Sequence, residues 1–202
     1  GRGMSDPELE AAMTLGTINP LDEMSPTDLG RFGLGLKTAS FSQCRSLTVA
    51  SKREGQEIVC LRWDLDAIAS GPEGGWRMFE GPAEGSERFL EPLAALRSGT
   101  LVLWERMDRV VTVGSNFDHF AELAIDVESR LAMVFHRLIE GHRSDFRLFV
   151  NDRAVAPWDP FMTGHPAKPW ESPVARISTP SGTVEAQCHV LPHQDKLFED
   201  DS

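Results

Sequence analysis

The sequence has few cysteines, no long apolar run and no excess of basic residues, and each shortage excludes a class of protein. Its 202 residues contain three cysteines, Cys44, Cys60 and Cys188, and no Cys-x-x-Cys pair. Such wide spacing predicts reduced thiols in a cytoplasmic protein rather than a disulfide framework or a zinc site. No run of about 18 apolar residues occurs, so the sequence predicts no membrane-spanning helix.

Basic residues are outnumbered, with 20 Lys and Arg against 31 Asp and Glu and a net charge of −11. Because nucleic-acid binding usually appears as a basic patch, this acidic chain indicates no nucleic-acid partner of its own, although further parts of a longer protein would be able to contact one. His189 and His193 are four residues apart, a spacing that suits a metal only on a helix. The strand-like residues 184–191 and Pro192 favour two ordinary histidines instead.

What the sequence does have is a glycine-rich stretch at residues 28–40, which reads DLGRFGLGLKTAS. Its glycines stand at positions 30, 33 and 35, and residues 36–43 have the composition of a helix start. Glycine permits a positive φ and a close approach of ligand to backbone. The first turn of a helix then offers unpaired N–H groups to an anion, and Lys37 is expected to add a mobile positive charge. The stretch therefore predicts a phosphate-binding loop.

Two familiar glycine motifs do not fit this stretch. The Walker pattern needs Gly-Lys in sequence, whereas Leu36 separates Gly35 from Lys37. The dinucleotide fingerprint directly follows a strand, but residues 19–28 are polar and contain prolines, which predicts a loop. The phosphate site therefore belongs to another class.

Another glycine motif, at residues 1–4, stands at the start of the chain. Because it comes first in the sequence, it is called the first glycine box, and residues 30–37 are called the second glycine box. Gly1, Gly3 and Met4 precede Ser5 and Glu8, whose spacing is that of a helix capping box. Gly-x-Gly-Met, a short helix, a polar loop and Gly-x-x-Gly-x-Gly-Leu-Lys together resemble the GHKL ATPase superfamily of gyrase, the heat-shock chaperone, histidine kinases and MutL. Within it, the resemblance is to the MORC-like branch and to bacterial histidine-kinase-like ATP-binding proteins.

The resemblance implies an α+β fold, a two-layer α/β sandwich of the Bergerat type in which helices cover a mixed sheet. It implies an N-terminally truncated ATP-binding domain at residues 1–141 and the truncated start of a transducer-like domain at residues 142–202. The family's adenine-reading Asp would stand two residues before Gly1, and its general base and magnesium ligand would lie further upstream. The catalytic residues of this chain are therefore unknown.

The resemblance also implies which residues contact ATP. Backbone amides of the second glycine box would surround the phosphates, Met4 would lie against adenine, and Thr100, in a Gly-Thr-x-Val strand, would approach the phosphates. The alternatives left open are that Met4 only packs at the helix start, that Lys37 is solvated and that Arg31 is simply exposed. The assigned residues are Gly1, Gly3, Met4, Gly30, Arg31, Phe32, Gly33, Leu34, Gly35, Leu36, Lys37 and Thr100.

By this resemblance the chain is expected to be a Mg²⁺-dependent ATP-binding or ATPase module. ATP binding would close residues 17–29 as a lid and drive a conformational change or homodimerisation, although these residues are alternatively only a connection. The chain by itself is expected to be inactive because the base lies upstream. Two other functions stay open: a histidine-kinase phosphotransfer domain, disfavoured because the chain continues well beyond the phosphate box, and a non-hydrolysing, ATP-gated interaction module.

Apolar periodicity predicts the remaining elements. After a helix from residue 36 to about 44, strands are expected from Leu47 and at 57–63, 76–79 and 99–104, with a turn at 53–56 and a brief helix at 90–96. One long helix is expected at 117–140, its apolar stripe facing the core or, alternatively, forming a dimer seam. Further strands are expected at 146–150 and 184–191, with a turn at Asn151 and Asp152 and a break at 157–161.

Overall fold

The computed structural model describes residues 1–16, 33–71, 77–110, 117–141 and 146–196. The predicted lid at 17–29 and the predicted ATP ligands Gly30, Arg31 and Phe32 lie outside these ranges. The chain divides into two compact units, residues 1–115 and residues 116–202. None of the helices in the described ranges is long and apolar enough to cross a membrane.

The first unit alternates helices with the strands of one sheet. Its elements are α1 (Asp6–Met13), α2 (Gly35–Phe41), β1 (Ser46–Lys52), β2 (Ile58–Asp64), α3 (Leu65–Ser70), β3 (Phe79–Glu80), a 3₁₀ turn (Glu87–Leu90), α4 (Glu91–Ala94) and β4 (Gly99–Glu105). The sheet has the strand order β3-β2-β1-β4. This arrangement of helices and a sheet confirms the α+β fold class.

All the strand pairs described in this sheet are antiparallel, whereas the resemblance implied a mixed sheet. The reason for β1 and β2 is local. Residues 53–57 join them with a glycine turn at Gly55, whose φ is +75°, and so short a connection permits only an antiparallel pair. In this register Val49 lies opposite Leu61 on β2 and opposite Val102 on β4.

The core of the first unit forms where α1 packs on the sheet. Leu9 and Met13, one turn apart on α1, are both fully buried, as are Leu47 and Val49 on β1. Residues i and i+4 share one face of a helix, and residues i and i+2 share one face of a strand, so the two pairs meet. Trp63 on β2 joins the same cluster.

The second unit contains helices followed by short hairpins. Its elements are α5 (Phe117–Val134), α6 (His136–Glu140), β5 (Phe149–Val150), β6 (Arg153–Ala154), β7 (Trp170–Glu171), β8 (Ala175–Thr179), β9 (Gly182–Ala186), β10 (His189–Val190) and a 3₁₀ turn (Gln194–Lys196). The strands pair as β5 with β6, β7 with β10 and β8 with β9, each antiparallel. The predicted turn at Asn151 and Asp152 is confirmed, since both residues have positive φ.

Three predictions in this unit are wrong: the single long helix, the packing of its apolar stripe as a core and the single strand at 184–191. The expected single helix at 117–140 is broken at Phe135, which has φ −101° and ψ +10°. Its apolar stripe does not form a core within the described residues, because Phe117, Val127 and Val134 on α5 are 81%, 43% and 64% exposed. Apolar periodicity specifies which side of a helix is apolar, but a core also needs a second layer on that side.

The expected strand at 184–191 is two strands that change partner. β9 pairs with β8, while β10 pairs with β7. Between them, the Cys188 N–H donates to the Ser172 hydroxyl (2.9 Å), and the Ser172 N–H donates to the Cys188 carbonyl (2.9 Å). The alternation of apolar and polar residues runs without interruption through both strands, so it gives no sign of such a change of partner.

The boundary between the two compact units lies after residue 115 in the sequence, so α5 belongs to the second unit. The domain boundary expected after residue 141 comes from the architecture of the resembled family. The division into compact units is a different property from this family boundary, so the boundary after residue 141 stays a prediction.

Candidate functional site

The first glycine box depends on Gly3, which is buried and has a φ of +70°. A Cβ atom at this position would lie 1.9 Å from the carbonyl oxygen of Lys52 and 2.6 Å from its carbonyl carbon. Both atoms belong to the backbone at the end of β1, so the neighbour has little freedom to move. Position 3 therefore requires glycine on two counts, its left-handed backbone and this close approach.

Ser51, near the end of β1, is the hydrogen-bonding centre of this part of the site. The Met4 N–H donates to the Ser51 hydroxyl oxygen (2.7 Å), and that oxygen is 3.1 Å from the Gly99 carbonyl and 2.8 Å from the Thr100 hydroxyl. A serine hydroxyl has one proton. If Ser51 donates to Gly99, Thr100 must donate to Ser51, which leaves the Thr100 oxygen able to accept a hydrogen bond from a ligand.

This contact places the predicted ligand Thr100 beside the first glycine box. Gly1 lies in the same neighbourhood, since its carbonyl accepts a hydrogen bond from the Ser98 hydroxyl (2.8 Å). Thus Gly1, Gly3, Met4 and Thr100, which are up to 99 positions apart in the sequence, are brought together. The register of β1 with β4 brings them together, because it sets Ser51 opposite Thr100.

Helix α1 is fixed at its start by the predicted capping box. The Ser5 N–H donates to Glu8 Oε2 (2.7 Å), the Ser5 hydroxyl donates to the same oxygen (2.9 Å), and Arg53 Nη1 also binds it (2.9 Å). The bonds from Ser5 and the Arg53 charge lower the pKa of the Glu8 carboxyl. A carboxylate in the first turn also favours the helix dipole. Met4, one residue before the cap, is therefore held at both its flanks.

The end of α1 is held by side chains from two other elements. Lys37 Nζ, on α2, donates to the carbonyls of Ala12 (2.7 Å) and Thr14 (2.9 Å), and Trp63 Nε1, on β2, donates to the carbonyl of Met13 (3.0 Å). Lys37 is 1% exposed, so it is neither mobile nor solvated, contrary to both sequence-based expectations for it. Burial lowers the pKa of its ammonium group. A role in ATP binding stays a prediction.

The second glycine box is described from residue 33 onward. Gly33 has a φ of +60°, and α2 begins at Gly35 after Leu34. The first intrahelical bond of α2 runs from the Thr38 N–H to the Leu34 carbonyl (2.9 Å), so the N–H groups of residues 35–37 precede the helical ladder. Among the residues that the structure describes, none has an atom within 4 Å of a Cβ placed on Gly35. The described part of this box therefore has open space beside Gly35.

Sequence reasoning missed Ser51 and Trp63, and each gave a detectable signal. Ser51 occupies the third position of the alternation Leu47, Val49, Ser51, where the pattern calls for an apolar residue, and it is nevertheless fully buried. A polar residue at a core position needs partners. Trp63, whose indole N–H usually finds an acceptor when buried, ends the run of apolar residues on β2.

The fold and the two glycine boxes define the first unit as an α+β domain with the features of a nucleotide-binding protein. In agreement, residues 1–85 match the family model described as Histidine kinase-, DNA gyrase B-, and HSP90-like ATPase. The match supports the GHKL superfamily for this segment and covers both boxes. The comparison with curated proteins finds no match.

In the ranges that the structure describes, no three His, Cys, Asp or Glu side chains come together as a group that would hold a metal ion. His189 and His193 accordingly have no third such partner among these residues.

Proposed function

We propose that this protein is a Mg²⁺-dependent ATP-binding module of an ATPase, close to the MORC-like branch of the GHKL superfamily. ATP binding would close residues 17–29 as a lid and drive a conformational change or homodimerisation. The observation that carries the proposal is the family match over residues 1–85, which spans both glycine boxes.

The described geometry supports ATP as the ligand. Two features suit the approach of phosphate oxygens to the backbone. One is the space beside Gly35 among the described residues, and the other is the N–H groups in the first turn of α2, which have no intrahelical acceptor. At the other box, the Met4 side chain and the Thr100 hydroxyl offer an apolar wall and a polar atom, the combination that small-molecule sites use for orientation. The proposed ligands in the described residues are Gly1, Gly3, Met4, Gly33, Leu34, Gly35, Leu36 and Thr100.

The contribution of these residues to phosphoryl transfer is positional. The reaction depends mainly on placing the phosphates and stabilising their charge, and a bound Mg²⁺ would supply part of that charge stabilisation. Backbone amides of the second box would bind the phosphates, with Thr100 on β4 approaching them, while Met4 of the first box would lie against adenine. We assign none of these residues as the general base, so their expected contribution is to bind and orient the nucleotide.

The direct test is calorimetric titration of Mg-ATP into the chain, alone and extended by the native residues that precede Gly1. The test variant is Gly35→Val, since a Cβ there meets no atom of the described part of the chain within 4 Å and the added side chain would fill the space proposed for phosphate. We expect it to weaken ATP binding at least about tenfold, the loss of one good charged hydrogen bond.

Gly164→Val is the matched control for this variant. A Cβ atom at Gly164 also meets no atom within 4 Å in the described ranges, but this residue lies in the second unit, so ATP affinity should be unchanged. Equal affinity of Gly35→Val and the parent chain would contradict the phosphate assignment. Binding by neither the chain nor its extended form would contradict the proposed function altogether.

The same preparations separate hydrolysis from phosphotransfer. With γ-labelled ATP, an ATPase releases the label as phosphate, whereas a histidine kinase retains it on protein. We expect released phosphate from the extended form. Stable labelling of the protein would favour the kinase alternative.

A further inference from the structure

Lys37 is a lysine inside the first unit rather than on its surface. It is only 1% exposed. Lysine side chains are almost never fully buried unless they are paired, so this burial calls for bonding partners. Its partners are the backbone carbonyls of Ala12 and Thr14, at 2.7 and 2.9 Å from Nζ. Burying a cation without such bonds would be strongly unfavourable, so the two contacts explain how the position tolerates a charge.

The two carbonyls belong to the end of α1, where backbone acceptors have no intrahelical donor. A cation there satisfies them and also opposes the negative end of the helix dipole. The Trp63 indole donates to the Met13 carbonyl between them. Three successive carbonyls at the end of α1 are thus bound by side chains of α2 and β2.

This contact joins the two glycine boxes. Helix α1 begins at Asp6, with Ser5 as its N-cap directly after Met4 of the first box, whereas Lys37 is the last residue of the second box and lies in the first turn of α2. Because an eight-residue helix is a stiff rod, a bond at the end of α1 also fixes the box at its start. The Lys37 ammonium therefore sets the position of one box relative to the other.

We propose that Lys37 is a positioning residue of the nucleotide site, whose buried ammonium group holds α1 against α2 and does not itself bind the phosphates. The inference rests on the proposed function and assigns Lys37 a role different from the phosphate contact that its motif suggests. Trp63 acts on the same helix end from the sheet and is the second positioning residue.

The test compares Lys37→Met and Trp63→Phe with the parent chain, using ATP, ADP and AMP as ligands. We expect Lys37→Met to raise the Kd about tenfold, by a similar factor for all three nucleotides, since a displaced first box affects the part they share. Trp63→Phe should raise the Kd by a smaller factor that is again the same for all three. A factor that increases from AMP to ATP in Lys37→Met would show a direct phosphate contact and overturn the proposal.

Lys52→Met is the matched control. Lys52 Nζ also donates to a helix-terminal carbonyl, that of Ala94 at 2.7 Å, but its side chain leaves β1 on the face opposite to Ser51. Its loss should leave all three Kd values unchanged. The titrations are run well below the unfolding temperature, where a purely structural role for Lys37 would also leave the Kd values unchanged. Unchanged values for Lys37→Met would therefore overturn the proposal.

Amide hydrogen exchange without nucleotide keeps this result separate from the proposed function. In Lys37→Met we expect the last amides of α1 to exchange about tenfold faster, with no change in Lys52→Met. If faster exchange is accompanied by no nucleotide binding even in the parent and extended forms, the proposed function fails while the anchor on α1 stands. Unaltered exchange would overturn the anchor itself.

Discussion

Strand β1 in the first unit and the hairpin of β8 and β9 in the second unit show how differently two stretches of extended chain are stabilised. From Ser46 to Ser51 every residue of β1 is buried, whereas every residue of β8 and of β9 is exposed. Strand β1 has a neighbour on each side and helices packed on it. Strands β8 and β9 pair only with each other among the described strands.

The difference extends beyond the hairpin. Within residues 117–141 and 146–196, the buried residues are Ala132, His136 and Val155. The second unit therefore depends more on individual side-chain contacts, such as the pair of Phe161 and His189 rings with centroids 4.3 Å apart. A two-stranded hairpin is marginally stable without further packing. Extended conformation alone thus contributes little, and burial against other elements accounts for the stability of β1.

The largest expected effect is that of Gly3→Ala, which acts on the end of β1. The new Cβ would lie 1.9 Å from the Lys52 carbonyl oxygen at a φ of +70°, so backbone strain and a backbone clash combine. We expect the variant to lose about 4 kcal/mol or more of unfolding free energy, measured by urea denaturation. Gly55→Ala has a similar φ, +75°, and no atom of the described residues within 4 Å of its Cβ, and it should lose only about 1–2 kcal/mol. Equal losses would mean that the close approach contributes nothing.

The difference in burial between the two units also determines how much of the fold the sequence predicts. In the first unit, β1, β2 and β4 were expected within a residue or two of their ends, because alternating apolar residues and a glycine turn act locally. In the second unit, β7 and β8 were missed. The residues of β8 have no buried face to impose an alternating pattern, since Ile177 is the only large apolar residue among its exposed five.

The candidate site was predicted unevenly for a related reason. Glycine boxes are sequence patterns, so Gly3 and Gly33 were identified directly, and both have the positive φ that glycine allows. The partner of a long side chain is not encoded by its own neighbours. Lys37 was expected to point at phosphate or solvent, and its contacts with Ala12 and Thr14 could not be inferred from a motif 23 residues away.

A paired substitution measures the burial difference between the two strands. Leu47→Ala on β1 removes a fully buried side chain, whereas Ile177→Ala on β8 shortens one that is 54% exposed. We expect a loss of about 3 kcal/mol for the first and less than about 0.5 kcal/mol for the second, both by urea denaturation. A comparable loss from Ile177→Ala would show that the hairpin is covered by something else in solution. The two strands would then not differ in burial.

Asp159→Ala removes a local polar contact of the second unit and is expected to have a smaller effect than Gly3→Ala or Leu47→Ala. Asp159 accepts hydrogen bonds from the Phe161 N–H (2.9 Å) and from the N–H (2.8 Å) and hydroxyl (2.5 Å) of Thr163. We expect the substitution to cost about 1–2 kcal/mol at neutral pH.

The pH dependence of that cost tests whether Asp159 acts as a charged acceptor. The bonds from Thr163, foremost its hydroxyl, lower the pKa of Asp159 from 3.8 to about 2. A carboxyl whose pKa is lowered by folding stabilises the folded state above its unfolded pKa, and this contribution is lost as the pH falls through the folded value. The difference in unfolding free energy between the parent and Asp159→Ala should therefore be constant above about pH 4 and shrink towards about pH 2. A difference that stays constant over this range would show that the contact does not depend on the charge of Asp159.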